Sequence, residues 1–268
     1  MIRPDNGLAT VPPDEDTWRV ALLRGGRPCD RSPVVGYVDL HSHVLFGLDD
    51  GARDIATSRA MLGALSALGF TEVYATPHQK AGQFMPSREA IDSAYAAVKA
   101  VCAPDVRLGL AAENMWDDVF YGRLQDGTIP AYDGGDAFLV ELRPPELPVG
   151  LVDQLFKLRM SGKSPVLAHP ERYEPLWNDD GLVERLRAQC AFVVDLGALV
   201  GYHGKQQQKM ARRLVEDGIA IAVTSDAHTV EDVRSAAEGI AWIQKRLGKT
   251  AVTRLLDDGP RMALLGDL

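Results

Sequence analysis

From Val34 to the C-terminus, short β-branched runs alternate with longer amphipathic stretches, and this strand-then-helix rhythm fixes the class of fold before any single residue does. A strand-like run over 34–40 leads into a helical period over 54–68 with apolar Ile55, Met61, Leu62, Leu65 and Leu68, stopped by Gly69. The unit recurs as strand 72–76 with helix 87–102, strand 106–112, strand 137–142 with helix 149–160, and strand 164–168 with a helix near 182–189. Strand 192–196 with a helix near 206–217, and strand 219–224 with a helix near 230–247, bring the total to about seven units. Such units predict a parallel sheet with right-handed crossovers, either closed into a barrel or open and doubly wound.

The ends of the runs decide between the two. Five of the six histidines lie in four apolar runs that each end in chelating groups: Tyr37-Val-Asp-Leu-His41-Ser-His43, Val73-Tyr-Ala-Thr-Pro-His78, Val166-Leu-Ala-His169-Pro-Glu-Arg172 and Ala222-Val-Thr-Ser-Asp226-Ala-His228. Imidazoles scattered by chance would fall on helices, loops and tails alike. Chelators at the C-terminal ends of several strands converge easily on the one catalytic face of a barrel, whereas distant strands of an open sheet diverge. The reading is therefore an α/β fold, a distorted TIM-like (β/α)7 barrel over 34–268. Residues 1–33, with Pro4, Pro12, Pro13, Pro28 and Pro33 and one patterned stretch at Trp18-Arg-Val-Ala-Leu-Leu23, read as a loosely ordered N-terminal extension.

The chain has 268 residues, 46% hydrophobic and 25% charged, enough for one large domain with a substantial core. Its formal charge of −8 and lack of a long Lys/Arg block argue against nucleic-acid binding, which requires a basic face. Cys29, Cys102 and Cys190 are few and lack CxxC spacing, so a disulfide framework is not expected and a reducing, cytoplasmic setting is. No apolar signal-type region or membrane-spanning window is apparent, so insertion in a membrane is not expected.

His41 and His43, two apart on a strand, point to the same face and can share an ion. In isolation such a pair is equally a pair of half-buried polar residues. Here it precedes Gly47-Leu-Asp49-Asp50-Gly51, which makes Asp50 a candidate ligand. His78 follows Ala75-Thr-Pro, Glu113 ends Leu108-Gly-Leu-Ala-Ala-Glu, and Glu141 ends Phe138-Leu-Val-Glu. With His169, Asp226 and His228 the set reaches five imidazoles and four carboxylates, suited to Mn²⁺, Fe²⁺ or Zn²⁺ and too nitrogen-rich for Mg²⁺ or Ca²⁺. Nine ligands suit two or three ions with a bridging carboxylate such as Glu113, an arrangement that generates a hydroxide nucleophile and clamps phosphoryl oxygens. Arg172 and Arg234 are the candidate phosphate forks. His203, between glycines in Gly201-Tyr-His-Gly204, reads as a loop residue near substrate rather than a ligand.

Together, Asp39-Leu-His41-Ser-His43, Leu48-Asp-Asp50-Gly51, Ala75-Thr-Pro-His78, Ala112-Glu113, Leu139-Val-Glu141, Ala168-His-Pro-Glu-Arg172 and Ser225-Asp-Ala-His228 resemble the PHP (polymerase and histidinol phosphatase) superfamily. Within it they resemble the bacterial protein-tyrosine phosphatases of capsule and exopolysaccharide synthesis, over 37 to about 262. The resemblance implies a PHP-type barrel and a trinuclear site, usually manganese. It places His41, His43, Asp50, His78, Glu113, Glu141, His169, Asp226 and His228 on the metals and Arg172 and Arg234 on the phosphate. It further implies a tyrosine-phosphorylated bacterial kinase as partner, and leaves the oligomeric state open. Two positions depart from the family pattern: Gln79 then Lys80 follow the second-strand histidine, and the sixth strand ends in Asp195-Leu-Gly. Both bear on substrate preference.

A thiol mechanism is excluded, since no cysteine sits in a Cys-x5-Arg loop. The main alternative keeps the fold and takes histidinol phosphate or another small phosphomonoester. A nuclease is disfavoured by charge, and a non-catalytic metal module by the intact, water-accessible ligand set.

Overall fold

The computed structural model describes residues 36–267; the extension 1–33, Cys29, the 18–23 stretch and the first two residues of the run 34–40 lie outside them. The strands are β1 (Tyr37–Ser42), β2 (Phe70–Ala75), β3 (His78–Gln79), β4 (Arg107–Leu110), β5 (Glu113–Met115), β6 (Ala137–Glu141), β7 (Ser164–Ala168), β8 (Ala191–Asp195) and β9 (Ala222–Thr224). All pairings between them are parallel. Helices α1 (Ile55–Ala67), α2 (Arg88–Val101), α3 (Asp118–Asp126), α4 (Leu151–Met160), α5 (Asp180–Arg187), α6 (Leu196–Val200) and α7 (Lys205–Glu216) lie between them, and α8 (Val230–Leu247) follows the last. Helix α9 (Lys249–Thr253), a π turn (Arg254–Asp258) and α10 (Gly259–Leu265) end the chain. No helix among the described residues is long and apolar enough to cross a membrane.

Helix starts follow local capping. Asp54 accepts from Thr57 N–H at the start of α1, and Ser87 accepts from Ala90 N–H at the start of α2. At α8, Thr229 and Asp232 form a reciprocal capping box. Both faces of the strands are apolar, as in buried parallel sheets. Phe138, Val140, Leu167, Phe192 and Val194 pack toward the helices, whereas the alternating Val38, Leu40, Leu139, Val166 and Val193 form a separate cluster with Tyr132 and Ala263. Gly259 admits the C-terminal helix to this wall: a Cβ there would lie 1.8 Å from the Ile221 carbonyl oxygen.

The parallel α/β expectation holds, but the closed (β/α)7 barrel is not what the ladders describe. They form a three-stranded sheet in the order β1-β2-β4 and a six-stranded sheet in the order β3-β5-β6-β7-β8-β9. The ladder is interrupted between β2 and β3, where Pro77 has no N–H to donate, and between β4 and β5 at Ala111 and Ala112. The outer strands β1 and β9 meet through an isolated bridge, Ser42 with Ala227, and not through a continuous ladder. His43 N–H donates to Ala227 O at 2.9 Å and Asp226 N–H to His41 O at 3.0 Å, so the ends of the two strands that carry candidate ligands are joined directly.

Candidate metal centre

The nine candidate ligands come together at the C-terminal ends of these strands. Four overlapping sets place their donor atoms within 4.8 Å of one another: His43, Asp50, His78 and His228; His41, His43 and Asp226; His41, Glu113 and His169; His78, Glu113 and Glu141. Glu113, fully buried, is common to two sets, with one oxygen 2.8 Å from His169 Nε2 and the other 2.8 Å from His78 Nδ1. It has the position of a bridging carboxylate. His41 Nε2 lies 2.8 Å from Asp226 Oδ1 and 3.1 Å from His43 Nε2, a nitrogen separation that two ligands about 2.0–2.1 Å from one ion would adopt.

These residues fit a cluster of cations and fit nothing else present. His41 Nδ1, His78 Nδ1, Glu113 Oε2 and Glu141 Oε2 are buried without a hydrogen-bond partner among the described residues, although His78 Nδ1 and Glu113 Oε2 lie 2.8 Å apart. Burial and then the charge of Glu113 push the Glu141 carboxyl up to about 7. Burial opposes charging His41, but Glu113 and Asp226 outweigh it and raise the imidazole to about 10. His169 is held down to about 4 by burial and the nearby Arg172, which leaves its ring neutral for ligation.

The backbone is bent to aim these groups. His169 at φ 33° and Asp226 at φ 46° are non-glycine residues in the left-handed region, the kind of local strain that collects at functional sites. A buried carboxylate outside the ligand set, Asp39, anchors the second bend by accepting from Thr224 Oγ1 at 2.6 Å and Ser225 N–H at 3.0 Å.

Of the paired acids, Asp50 is half-exposed and reaches His228 Nε2 at 3.4 Å and His78 Nε2 at 3.5 Å, and its bond to His228 lowers it to about 2. Asp49 is buried and faces the other way: its Oδ2 accepts from His43 Nδ1 at 2.8 Å and His78 N–H at 3.0 Å, and its Oδ1 from Gly51 N–H at 3.0 Å. It fixes the His43 tautomer that leaves Nε2 free for a metal, the usual task of a carboxylate behind a ligating imidazole. Sequence reasoning missed Asp49, although its position beside Asp50 was the available signal.

A cavity of about 500 Å³ opens above the cluster, bounded by Lys80, Phe84, Arg172, Asp195, Tyr202 and His203 among others. Arg172 lines it: one terminal nitrogen donates to Asp195 at 2.9 Å and to Asp226, and lies 3.2 Å from His203 Nε2. Its Nε is buried without a hydrogen-bond partner among the described residues. Arg234 is not brought to the site. It sits on the exposed face of α8, paired to Glu231 one turn earlier, while Asp232 and Ser235 of the same helix line the cavity. His203 does reach the cavity and pairs with Asp195. Neither described thiol does: Cys190 is buried with its thiol pushed up by desolvation, and Cys102 is part-buried and likewise raised.

Parallel βα units that hold a polynuclear His/carboxylate cluster at the strand ends define a metal-dependent hydrolase class of site. Within that class the chain belongs to the CpsB/CapC family of capsular polysaccharide synthesis, whose model matches residues 37–265. Tyrosine-protein phosphatase CpsB of Streptococcus pneumoniae is 26% identical over 244 residues, covering 86% of this chain and 99% of that protein. Tyrosine-protein phosphatase YwqE of Bacillus subtilis is 28% identical over 200 residues, covering 72% of this chain and 78% of that protein. A solved structure from work on YwqE and CpsB, described as unique metal-dependent tyrosine phosphatases, matches the fold with a TM-score of 0.76 at 24% identity, covering 86% of this chain and 95% of the other.

Proposed function

We infer that this protein is a metal-dependent tyrosine phosphatase that works without a cysteine nucleophile. The observation that carries the reading is the convergence of nine His, Asp and Glu side chains into four overlapping sets around buried Glu113, at the floor of an open cavity. Divalent ions bound there would supply Lewis acidity, lowering the pKa of water and countering charge on a phosphoryl group. Asp49 holds His43, and Arg172 holds Asp226, so the ligands are set before substrate arrives. Arg172 lines the cavity as a cation for a phosphoryl group, and the cavity admits a phenyl ester whose phosphorus–oxygen bond is cleaved by water.

The finer assignments are part of the same proposal. The nitrogen-rich donor set favours Mn²⁺, with Fe²⁺ or Zn²⁺ as competitors, in two or three positions. The substrate is phosphotyrosine on a bacterial tyrosine kinase, in a cytoplasmic setting, which the capsule-synthesis family membership supports. Residues 34–268 form the phosphatase domain, built as a distorted barrel whose seam is the Ser42–Ala227 bridge, and 1–33 form an extension to it. The test is kcat/KM on a tyrosine-phosphorylated peptide and on histidinol phosphate in Mn²⁺, with His41→Ala as control and metal content measured in both proteins. Preference for the peptide, lost with the metal in the variant, is the expected result; preference for histidinol phosphate would move the substrate to small phosphomonoesters.

A further inference from the structure

Lys80 and Phe84, which follow the His78 strand end, do not belong to the ligand set, yet both line the cavity above it. The chain between them folds into a minimal hairpin: Lys80 N–H donates to Phe84 O at 2.7 Å and Phe84 N–H to Lys80 O at 3.0 Å. Gly82, at φ +76°, makes the turn, and Ala81 N–H donates to Asp117 at 2.9 Å, tying the tip to the start of α3. Residues paired directly across an antiparallel bridge project their side chains to the same face. The hairpin thus presents one cation and one aromatic ring side by side.

Each has room to act. Lys80 Nζ pairs with Glu141 only at 3.8 Å, outside hydrogen-bond reach, and its side chain is part-exposed at 31%. The cations lining the cavity among the described residues are Lys80 and Arg172, and Arg172 already gives one nitrogen to Asp195 and Asp226. Phe84 lies parallel to His78, with ring centroids 5.5 Å apart and planes inclined by 10°. Its part-buried ring continues the wall from the metal-binding imidazole out to the cavity mouth.

We propose that the Lys80–Phe84 hairpin is the element that selects aryl phosphates, Lys80 gripping non-bridging phosphate oxygens while Phe84 packs against the phenyl ring of phosphotyrosine. The proposal rests on the phosphatase reading above. An aryl monoester has a dianionic head and a flat apolar body joined by one oxygen, and the hairpin offers a partner for each. An alkyl monoester would use Lys80 but gain little from Phe84.

The test uses the full-length, Mn²⁺-loaded protein and its variants Phe84→Ala, Phe84→Tyr, Lys80→Ala and Lys80→Arg, each checked for metal content and thermal unfolding. For Phe84→Ala, the ratio of kcat/KM on a phosphotyrosine peptide to that on glycerol phosphate is expected to fall about three- to tenfold, with Phe84→Tyr restoring it. For Lys80→Ala, calorimetric affinity for inorganic phosphate is expected to fall about ten- to a hundredfold, with Lys80→Arg recovering most of it. An unchanged substrate ratio in Phe84→Ala, or unchanged phosphate affinity in Lys80→Ala, overturns the proposal. Absence of phosphotyrosine turnover by the unaltered protein would instead overturn the phosphatase reading, and the proposal with it.

Discussion

Asp49→Asn is the substitution that best separates a ligand from a residue standing behind one. The Asp49 side chain is 1% exposed, and both its oxygens accept hydrogen bonds: Oδ2 from His43 Nδ1 and His78 N–H, Oδ1 from Gly51 N–H. An amide has one acceptor oxygen, so whichever way it sits, its NH₂ replaces an acceptor and meets at least one N–H donor. Losing a hydrogen bond to a charged acceptor in a buried place costs about 1.5–3 kcal/mol. At about 1.4 kcal/mol per factor of ten, that is roughly ten- to a hundredfold in metal affinity, the range found when partners behind metal ligands are altered. Asp50→Asn provides the contrast, because Asp50 is 53% exposed and approaches only His78 and His228. It is expected to weaken one ion while changing the stability of the metal-free fold by less than about 0.5 kcal/mol. Competition of each variant with a chelating dye for Mn²⁺ and Zn²⁺, beside urea unfolding in the metal-free state, measures both quantities. Asp49→Asn with the metal affinity and stability of the unaltered protein would refute the assignment.

Other consequences are simpler to read. Arg234→Ala is expected to keep kcat/KM on a phosphotyrosine peptide within about twofold, since an exposed ion pair with Glu231 contributes little; a tenfold loss would mean that α8 turns this side chain inward during turnover. In chelator-stripped protein, His41 is held up to about 10 by Glu113 and Asp226 against burial, so the stability it lends is full below about pH 6.5 and is lost as pH rises through 10. The melting temperature of stripped protein should therefore fall between pH 7 and 10 and that of Mn²⁺-loaded protein should not, as scanning calorimetry would show; a flat profile without metal would count against the buried charge balance. Iodoacetamide under native conditions should leave activity intact, because both described thiols are pushed up and lie away from the cavity.

Elements with a long helical period or a compact apolar run were legible in the sequence: Ser164–Ala168 and Val230–Leu247 form with the bounds their patterns predict. Elements that depend on their surroundings were not. Helix α3 buries only Phe120 and carries Gly122 mid-helix, so its period is too weak to stand out, and it is the Asp117 cap that starts it. The segments after Leu247 pack through a close backbone approach at Gly259, which no periodicity encodes. The short strands β3 and β5 exist because their neighbours align them, with His78 opposite Glu113.

The candidate metal ligands were legible for a related reason: nine chelating groups gathered at strand ends exceed what a metal-free interior can satisfy. Where ligands are recognised by excess, the residues that manage the excess look ordinary. Asp39 and Asp49 are single carboxylates whose importance comes from the donors that reach them, and Arg234 looked like a phosphate fork because its distance along the chain from His228 says nothing of which way a helix faces. The positive φ at His169 and Asp226 is also silent in sequence, since neither is a glycine. Left-handed backbone at a non-glycine residue costs on the order of 1 kcal/mol, and a buried carboxyl held at about 7 marks further cost. Bound cations would offset the charge part of that cost, so metal affinity and folding stability form one linked equilibrium in this protein. Substitutions at Asp39 or Asp49 should therefore register in both at once.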